Sequence, residues 1–279
     1  MPDRDLPANV DRAPLPRSEL TAALHKLGVR PGAVVMVHAS MSRLGWVVGG
    51  SQTVVEALLE ASGPNGTVLA YAGWEDNPYH LAEWPIAWQQ AYRAEMPPFD
   101  PALAEARHVN GRLPERIRTW PGSHRSAHPE AGFVALGTRA AELTADQDRH
   151  LPYGPRSPLG RLVDADGQVL LLGAPFTTMT LLHHVESILD LPGKRTVRYE
   201  MPIRRGDAVV WESFTDINSD GAAFPYETLS DGDLGDFVGT VLRKAELGAF
   251  GRVGGAPSYL VDARAFVDFA VGWLTSRFG

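Results

Sequence analysis

The sequence predicts a single α/β domain whose central, mostly parallel sheet is flanked by helices. Continuous apolar runs of strand length occur at residues 33–38, 67–73, 133–137 and 168–175, and they alternate with segments whose apolar residues recur at helical spacing. From residue 33 onward, a strand, a helix and a second strand follow one another within about forty residues, which is the βαβ unit of a parallel sheet.

The first elements can be assigned from their start and stop signals. Residues 1–16 are polar and proline-rich, and we expect them to form a disordered arm before an α/β domain that spans residues 17–279. The segment ELTAALHKLG predicts a helix that is capped by Ser18 and stops at Gly28. An amphipathic helix over residues 53–62 then completes the βαβ unit.

Residues 74–125 break this alternation. They contain four of the seven tryptophans and several prolines, without a convincing period. A loop of that length in a compact domain is usually functional or contains irregular helices. We therefore expect a long excursion over the surface.

Strands and helices alternate again after the excursion, with a strand at 133–137, a short helix from residue 138 and a strand at 168–175. The helix MTLLHHVESILD follows, and RYEMPIRRGDAVVWESF predicts a β-hairpin that turns at Gly206 and Asp207. The chain closes with a helix near residues 232–246, a strand YLVD and a helix capped by Asp262.

The composition excludes several classes of function. The chain has no cysteine, which excludes disulfides, thiolate metal sites and acyl transfer through an enzyme thiol. The formal net charge of −7 argues against a nucleic-acid partner. No apolar run is long enough for a membrane span, and the N-terminus lacks the apolar core of a secretory signal. We therefore expect a cytoplasmic protein with no membrane partner.

The stretch TMTLLHHVES, residues 178–187, places polar groups at the carboxyl end of a buried strand, where open α/β sheets bind ligands. Thr180, His183 and Glu186 are spaced by three residues and share one helix face, whereas His184 points about 100° away. His183 could therefore act as a base at neutral pH. The alternatives are a local ion pair with Glu186, or a metal site, although the spacing is not H-E-x-x-H.

Two further stretches could bind an anionic or amide-bearing ligand. In HRSAHPEAG, Arg125, Ser126 and His128 precede a strand and could hold a phosphate or a pantetheine amide, or could form an exposed polar loop. In HASMSRLGWVVGG, residues 38–50, backbone N–H groups could meet an anion or a carbonyl oxygen. This stretch fits neither G-x-G-x-x-G nor the P-loop, so no nucleotide site is predicted.

Acidic and aromatic residues are mixed in GWEDNPYH, residues 73–80, and in TDINSDGAAFPYE, residues 215–227. Carboxylates beside tryptophan and tyrosine suit a polycationic ligand, through charge-assisted hydrogen bonds and ring contacts. Each of these acids could also belong to a solvated turn.

Taken in order, these stretches resemble the aminoglycoside 3-N-acetyltransferase family, from residue 17 to residue 278. The resemblance rests on VHASMSRLGWVVGG, YAGWEDNPYH, PPFDP, RSAHPEA, SPLGRLV, VLLLGAPFTTMTLLHHVE, PGKR with YEMP, and the D-I-N-S run. It implies an α/β fold other than the GCN5-type acetyltransferase fold, and RVGGAP has Pro257 where the GCN5-type loop ends in glycine or alanine. It also implies acetyl-CoA as co-substrate, no metal, and the 3-amino group of an aminoglycoside antibiotic as acceptor, in a monomer or homodimer.

The resemblance also implies roles for individual residues. His183 would be the general base, Asp216 the acid that orients and charge-stabilises it, and Glu186 would share that role or grip the substrate. Coenzyme contacts are expected from Ser40, Met41, Arg125, Ser126, His128, Ser157 and Thr178, and the group that polarises the thioester stays open among Thr177, Thr178 and Thr180. Acceptor contacts are expected from Trp74, Glu75, Asp76, Tyr79, Glu186, Asp216 and Glu227.

Three other functions are compatible with these residues. The same fold and coenzyme could acylate another amine, such as a biosynthetic intermediate. A metal-dependent hydrolase would use His183, His184 and the nearby acids. A sequestering protein would bind the antibiotic without chemistry. Thiol release from acetyl-CoA, sensitivity to chelators and the mass of the antibiotic distinguish these functions.

Overall fold

The computed structural model describes residues 13–226, 238–239 and 242–279. The chain begins with α1 (Arg17–Leu27), β1 (Val34–Ala39), α2 (Met41–Leu44), α3 (Ser51–Ser62) and β2 (Thr67–Tyr71). The middle contains α4 (Ile86–Glu95), α5 (Arg112–Arg118), β3 (His124–Arg125), β4 (Phe133–Gly137) and α6 (Ala140–Thr144). It closes with α7 (Pro158–Asp164), β5 (Gln168–Leu172), α8 (Leu181–Ile188), β6 (Thr196–Arg205), β7 (Ala208–Ile217), β8 (Ala249–Val253), β9 (Ala256–Asp262) and α9 (Ala263–Phe278).

The predictions for the N-terminal part of the chain are correct only in part. Residues 1–12, which include most of the expected arm, lie outside the described residues, but Leu15 is buried and its N–H donates to Trp46 O at 2.7 Å. Ser18 lies inside α1 rather than at its cap, which is Pro16. Gly28 ends α1 as expected, with a φ of +111° that disfavours residues with a Cβ.

In the described residues, seven strands form one sheet in the order β3-β4-β2-β1-β5-β9-β8, and β6 pairs separately with β7. β1 lies parallel to β2 and to β5, which confirms the βαβ unit. The four outer pairings are antiparallel, so the sheet is mixed rather than mostly parallel. A strand that is buried on both faces is apolar throughout in either direction, so the sequence of β4 or β9 could not reveal its orientation.

Two apolar layers cover the sheet, because successive side chains of a strand point to opposite faces. From β1, Val34 and Met36 join a core with α7, α8 and α9, whereas Val35 and Val37 join a core with α1, α3 and α5. The predicted α/β architecture with flanking helices is therefore confirmed. His38 follows Met36 by two residues and so faces the layer that contains α8.

The excursion between β2 and β3 contains α4 and α5, and it is anchored to the hairpin. Phe99 N–H donates to Pro202 O at 2.8 Å, and the Phe99 ring packs 5.3 Å from that of Trp74. The hairpin turns at Gly206 and Asp207 as predicted, because Arg205 pairs directly with Ala208.

The helix expected near residues 232–246 falls mostly outside the described residues. The C-terminal strand and helix occur as predicted, and β8, which the sequence analysis missed, forms a hairpin with β9. None of the described helices is both long and apolar enough to cross a lipid bilayer.

Candidate active site

A hydrogen-bonded histidine and glutamate lie on α8, just beyond the carboxyl end of β5. His183 Nδ1 lies 2.7 Å from Glu186 Oε2, and the hydroxyl of Tyr226 donates to Glu186 Oε1 at 2.6 Å. An ionised carboxylate only accepts, so the proton of this bond resides on Nδ1 and leaves Nε2 of a neutral His183 as an acceptor. Glu186 is buried, whereas the His183 side chain is 29% exposed.

His184 points away from this pair, as its position on the helix predicts. It is buried, and its Nδ1 lies 2.7 Å from the carbonyl oxygen of Tyr153. The two adjacent imidazoles therefore face different surroundings. His184 belongs to the interior, and His183 faces a cleft.

The cleft in front of His183 has a volume of about 670 Å³. It lies at the carboxyl ends of β1 and β5, which are adjacent in the sheet. Of the residues expected to contact coenzyme, it is lined by Ser40, Met41 and Thr178. Residues not singled out from the sequence, His38, Tyr71, Asn110 and Arg112, complete this part of its wall.

Acidic groups around His183 influence its protonation. Burial acts to lower the pKa of His183, but the hydrogen bond and the charge of Glu186 raise that pKa above its usual value, and Asp220 adds to this shift. His38 shifts in the opposite direction, because burial and the charge of His183 lower its pKa to about 4. At neutral pH the cleft therefore contains a neutral imidazole beside one with a raised affinity for protons.

Asp216 is buried near His183 but is not its hydrogen-bond partner. Its Oδ1 accepts from the backbone N–H of Ile217 at 2.7 Å, and burial raises the pKa of its carboxyl to about 8. The expectation that Asp216 orients His183 is corrected by this geometry. The contact to Nδ1 comes from Glu186, since residues three apart on a helix are neighbours.

Known proteins with this sequence pattern identify the family. The family described as aminoglycoside 3-N-acetyltransferase matches residues 36–275. The chain belongs to the aminoglycoside 3-N-acetyltransferase family.

Individual members of the family are similar over nearly their full length. Aminoglycoside N(3)-acetyltransferase VII of Streptomyces paromomycinus is 47% identical over 269 residues, which cover 95% of this chain and 93% of the relative. The crystal structure of aminoglycoside acetyltransferase AAC(3)-Xa matches with a TM-score of 0.92 at 45% identity, covering 96% of this chain and 95% of that one. The binary complex of AAC-IIIb with CoASH matches with a TM-score of 0.87 at 40% identity, covering 96% and 98%.

Four residues expected to contact coenzyme are not among those that line the cleft in this acetyltransferase. Ser126 and Ser157 are fully buried, and their hydroxyl oxygens accept from Phe133 N–H at 2.9 Å and Gly160 N–H at 3.1 Å. His128 is also buried, with Nδ1 accepting from Ala131 N–H at 2.8 Å. Arg125 donates to the carbonyl oxygen of Gly73. These bonds hold loops and helix ends together, so the structure gives all four side chains internal contacts.

The residues expected to contact the acceptor divide between two grooves. Trp74, Glu75 and Asp76 line a groove of about 820 Å³ along the excursion, but Trp74 is buried against Phe99. Tyr79 instead lines a separate cleft of about 510 Å³ beside the hairpin. Glu227 lies outside the described residues.

Sequence reasoning missed residues that support His183. Tyr226 is forty residues from Glu186 in the chain, so no local pattern could connect them. The ring of Tyr153 packs 5.3 Å from that of His183, and its carbonyl oxygen binds His184. The position of His38 could have been predicted, because side chains along β1 alternate between the two faces of the sheet. This alternation places His38 on the face that packs against α8.

Metal-binding side chains are not grouped in threes or more anywhere in the described part of the chain. The Nδ1 atoms of His183 and His184 are already bonded to Glu186 and to the Tyr153 carbonyl, on different sides of α8. The two histidines therefore do not form a chelating pair.

Proposed function

We propose that this chain transfers the acetyl group of acetyl-CoA to the 3-amino group of the deoxystreptamine ring of aminoglycoside antibiotics. The observation that carries the proposal is the His183–Glu186 pair at the mouth of the cleft, with Nδ1 and Oε2 2.7 Å apart. Such a pair supplies a base near neutrality, which an amine acceptor requires. Family membership supports the choice of donor and acceptor.

His183 Nε2 would act as the general base in a direct transfer. The amine nitrogen attacks the thioester carbonyl carbon, forming a C–N bond, and the carbon–sulfur bond breaks to release coenzyme A. The proton lost by the amine passes to Nε2, where the Nδ1–H bond to Glu186 stabilises the resulting imidazolium, and it then passes to the departing thiolate, so that coenzyme A leaves as the thiol. Tyr226 keeps the Glu186 carboxylate in place through its 2.6 Å hydrogen bond.

The cleft is suited to the acyl-thioester end of the donor. Ser40, Met41 and Thr178 line it beside His183, and Arg112 adds a positive charge for an anionic group. An acetyl carbonyl placed there becomes an oxyanion during attack and needs fixed donors, each worth roughly 3–4 kcal/mol in well-studied acyl transfer. The hydroxyls of Thr177, Thr178 and Thr180 stay our candidates for this contact.

Acetylation converts a cationic ammonium into a neutral amide. Loss of that charge weakens the electrostatic attraction of the drug for its RNA target, so the activity would confer resistance. We further propose that the enzyme acts in the cytoplasm, where acetyl-CoA is available.

Thiol release from acetyl-CoA in the presence of kanamycin, gentamicin or paromomycin tests the proposal directly. We expect release with at least one drug, together with a mass gain of one acetyl group on that drug. Coenzyme binding without release for any aminoglycoside would instead point to another amine as acceptor. An unchanged drug mass after binding would indicate sequestration, and activity lost to chelators and restored by zinc would indicate hydrolysis.

A further inference from the structure

The turn between α8 and β6 has the sequence PGKR, residues 192–195, and takes no part in the proposed transfer. It nevertheless touches both segments that carry the hydrogen-bonded side chains of His183, Glu186 and Tyr226, here called the His183 chain. Its lysine binds the end of α8, which carries His183 and Glu186, and its backbone binds the segment that leads to Tyr226. The turn is therefore placed to set the geometry of the site from outside the cleft.

The ammonium of Lys194 closes the C-terminus of α8. Its Nζ donates to the carbonyl oxygens of Ser187 at 2.8 Å and Leu189 at 2.7 Å. The last carbonyls of a helix have no partners within the helix, and a cation at that end is also favoured by the helix dipole. The last turn of α8 contains no basic residue of its own, so Lys194 supplies this cation from the following turn.

Glu186 depends on this closure because of where it lies on α8. The helix has only eight residues, and Glu186 lies in its last turn, directly before Ser187. Short helices are marginal on their own, and their ends fray first. The 2.7 Å bond from His183 Nδ1 to Glu186 Oε2 requires that last turn to be formed. The contact of Lys194 with Ser187 therefore fixes the backbone beside the carboxylate that holds the imidazole.

The same turn is packed against the segment that carries Tyr226. The backbone N–H of Arg195 donates to Ala223 O at 2.8 Å. Gly193 has a φ of +79°, and a Cβ at this position would lie 3.3 Å from Cδ of Pro225. Only glycine adopts this conformation easily, and it lets the turn approach the segment closely. The end of α8 and the residues before Tyr226 are thus tied to one turn.

We propose that Lys194 is a positioning residue of this enzyme, whose ammonium holds the last turn of α8 so that Glu186 stays between His183 and Tyr226. Lys194 does not line the cleft, so it acts through Glu186 and not on the reacting atoms. Without the ammonium, Glu186 would leave Nδ1 for part of the time, and the imidazole would be correctly oriented less often. The kinetic part of this inference rests on the proposed function, whereas the structural part concerns the folded protein alone.

Lys194→Met tests the kinetic part, because methionine keeps a long apolar side chain and lacks the ammonium. We expect kcat to fall about 10-fold while the KM for acetyl-CoA stays within about 2-fold of wild type, since the walls of the cleft are unchanged. Lys194→Arg can still donate to both carbonyls, and it should restore kcat to within about 3-fold of wild type. All rates are compared well below the melting temperature of every variant.

Lys26→Met is the matched control for the loss of a cation at a helix end. Lys26 lies in the last turn of α1, which packs on the opposite face of the sheet from α8. This variant should keep the kcat of wild type. An equal loss of kcat in Lys26→Met and Lys194→Met would assign the effect to charge or to general stability, and it would overturn the inference.

A double-mutant cycle tests whether Lys194 acts through Glu186. In a Glu186→Ala background, Lys194→Met should lower kcat by less than about 2-fold, because the carboxylate that Lys194 positions is already gone. If the two substitutions instead lower kcat independently, so that their effects multiply, Lys194 acts by another route and the inference is wrong.

An NMR titration of the His183 imidazole gives a readout that does not require turnover, and its signal is identified by its loss in His183→Ala. The bond to Glu186 and its charge raise the pKa of His183, so Lys194→Met should lower that pKa if Glu186 loosens. Loss of a nearby positive charge alone would raise the same pKa. The other titratable groups near His183 are unchanged in this variant, namely His38, Asp216 and Asp220.

These outcomes separate the inference from the proposed function. If wild type releases no thiol with any aminoglycoside, the proposed function fails, yet the titration still decides whether Lys194 holds Glu186 on His183. If wild type turns over and Lys194→Met loses melting temperature but keeps both its kcat and the pKa of His183, then Lys194 only stabilises α8. That result overturns the inference and leaves the reaction intact.

Discussion

His183 Nδ1 lies 2.7 Å from Glu186 Oε2, while the other oxygen of Glu186 accepts from Tyr226 at 2.6 Å. The carboxylate is therefore fixed at both oxygens, one by the imidazole and one by the phenol. This arrangement leaves Glu186 little freedom to rotate, and it holds the ring of His183 with Nε2 free to accept a proton. The site thus contains a hydrogen-bonded chain of three side chains rather than a lone histidine.

Glu186→Gln should lower kcat/KM by about 10- to 100-fold, because the imidazolium formed during transfer loses its charged partner. Glu186 raises the pKa of His183, so the variant should also move the acidic limb of the pH–rate profile to lower pH. A pH series of kcat/KM at saturating acetyl-CoA measures both effects. An acidic limb that stays at the wild-type pH would show that His183 is not the group that titrates.

The two adjacent histidines should respond differently to removal. His183→Ala should lose most of kcat while the affinity for coenzyme is nearly kept, since only the base is removed. His184→Ala should keep kcat within a few-fold, but it should lower the free energy of unfolding by about 1–3 kcal/mol, because a buried hydrogen bond to the Tyr153 carbonyl is lost. Turnover and denaturant melts of both variants check this. Reversed effects would mean that His184, and not His183, is the histidine of α8 that faces the cleft.

The sequence predicts the features of this site that depend on residues close together in the chain, and it does not predict those that depend on residues far apart in the chain. Local spacing predicts α8 and the separate faces of His183 and His184, because three and four residues make one helical turn. It also offers the contact between Glu186 and Nδ1, because residues three apart on a helix are neighbours, but it does not exclude Asp216, since that depends on how β7 approaches α8. The Tyr226 bond spans forty residues, and the antiparallel direction of β4 and β9 depends on pairings made elsewhere in the sheet. These features arise from tertiary packing, which no local pattern records.

Two serines that the family resemblance groups together should give opposite results. Ser157→Ala should lower the free energy of unfolding by about 1 kcal/mol through loss of the cap of α7, while the KM for acetyl-CoA stays unchanged. Ser40→Ala should change the KM for acetyl-CoA with little effect on stability, since Ser40 lines the cleft. A raised KM in Ser157→Ala without loss of stability would restore Ser157 as a coenzyme contact.

Asp216→Asn should change how the stability of the protein depends on pH. The carboxyl of Asp216 titrates near 3.8 when solvated, but burial raises its pKa in the fold to about 8. Between these values the unfolded chain releases the proton and the folded chain keeps it, so the free energy of unfolding falls by up to about 1.4 kcal/mol per pH unit. Asparagine does not titrate, and its side-chain oxygen can still accept from Ile217 N–H. The melting temperature of Asp216→Asn relative to wild type should therefore rise steadily from pH 5 to pH 8 and level off above it.

Asp207→Asn is the control for this measurement, because Asp207 is exposed in the hairpin turn and the substitution makes the same replacement of a carboxyl by an amide. The difference in melting temperature between Asp207→Asn and wild type should stay the same at every pH over the whole range. If the difference in melting temperature between Asp216→Asn and wild type is also independent of pH, then Asp216 is ionised in the folded protein at neutral pH. In that case the carboxylate would carry a full negative charge beside His183, and its role would shift from a neutral buried group to an electrostatic stabiliser of the imidazolium.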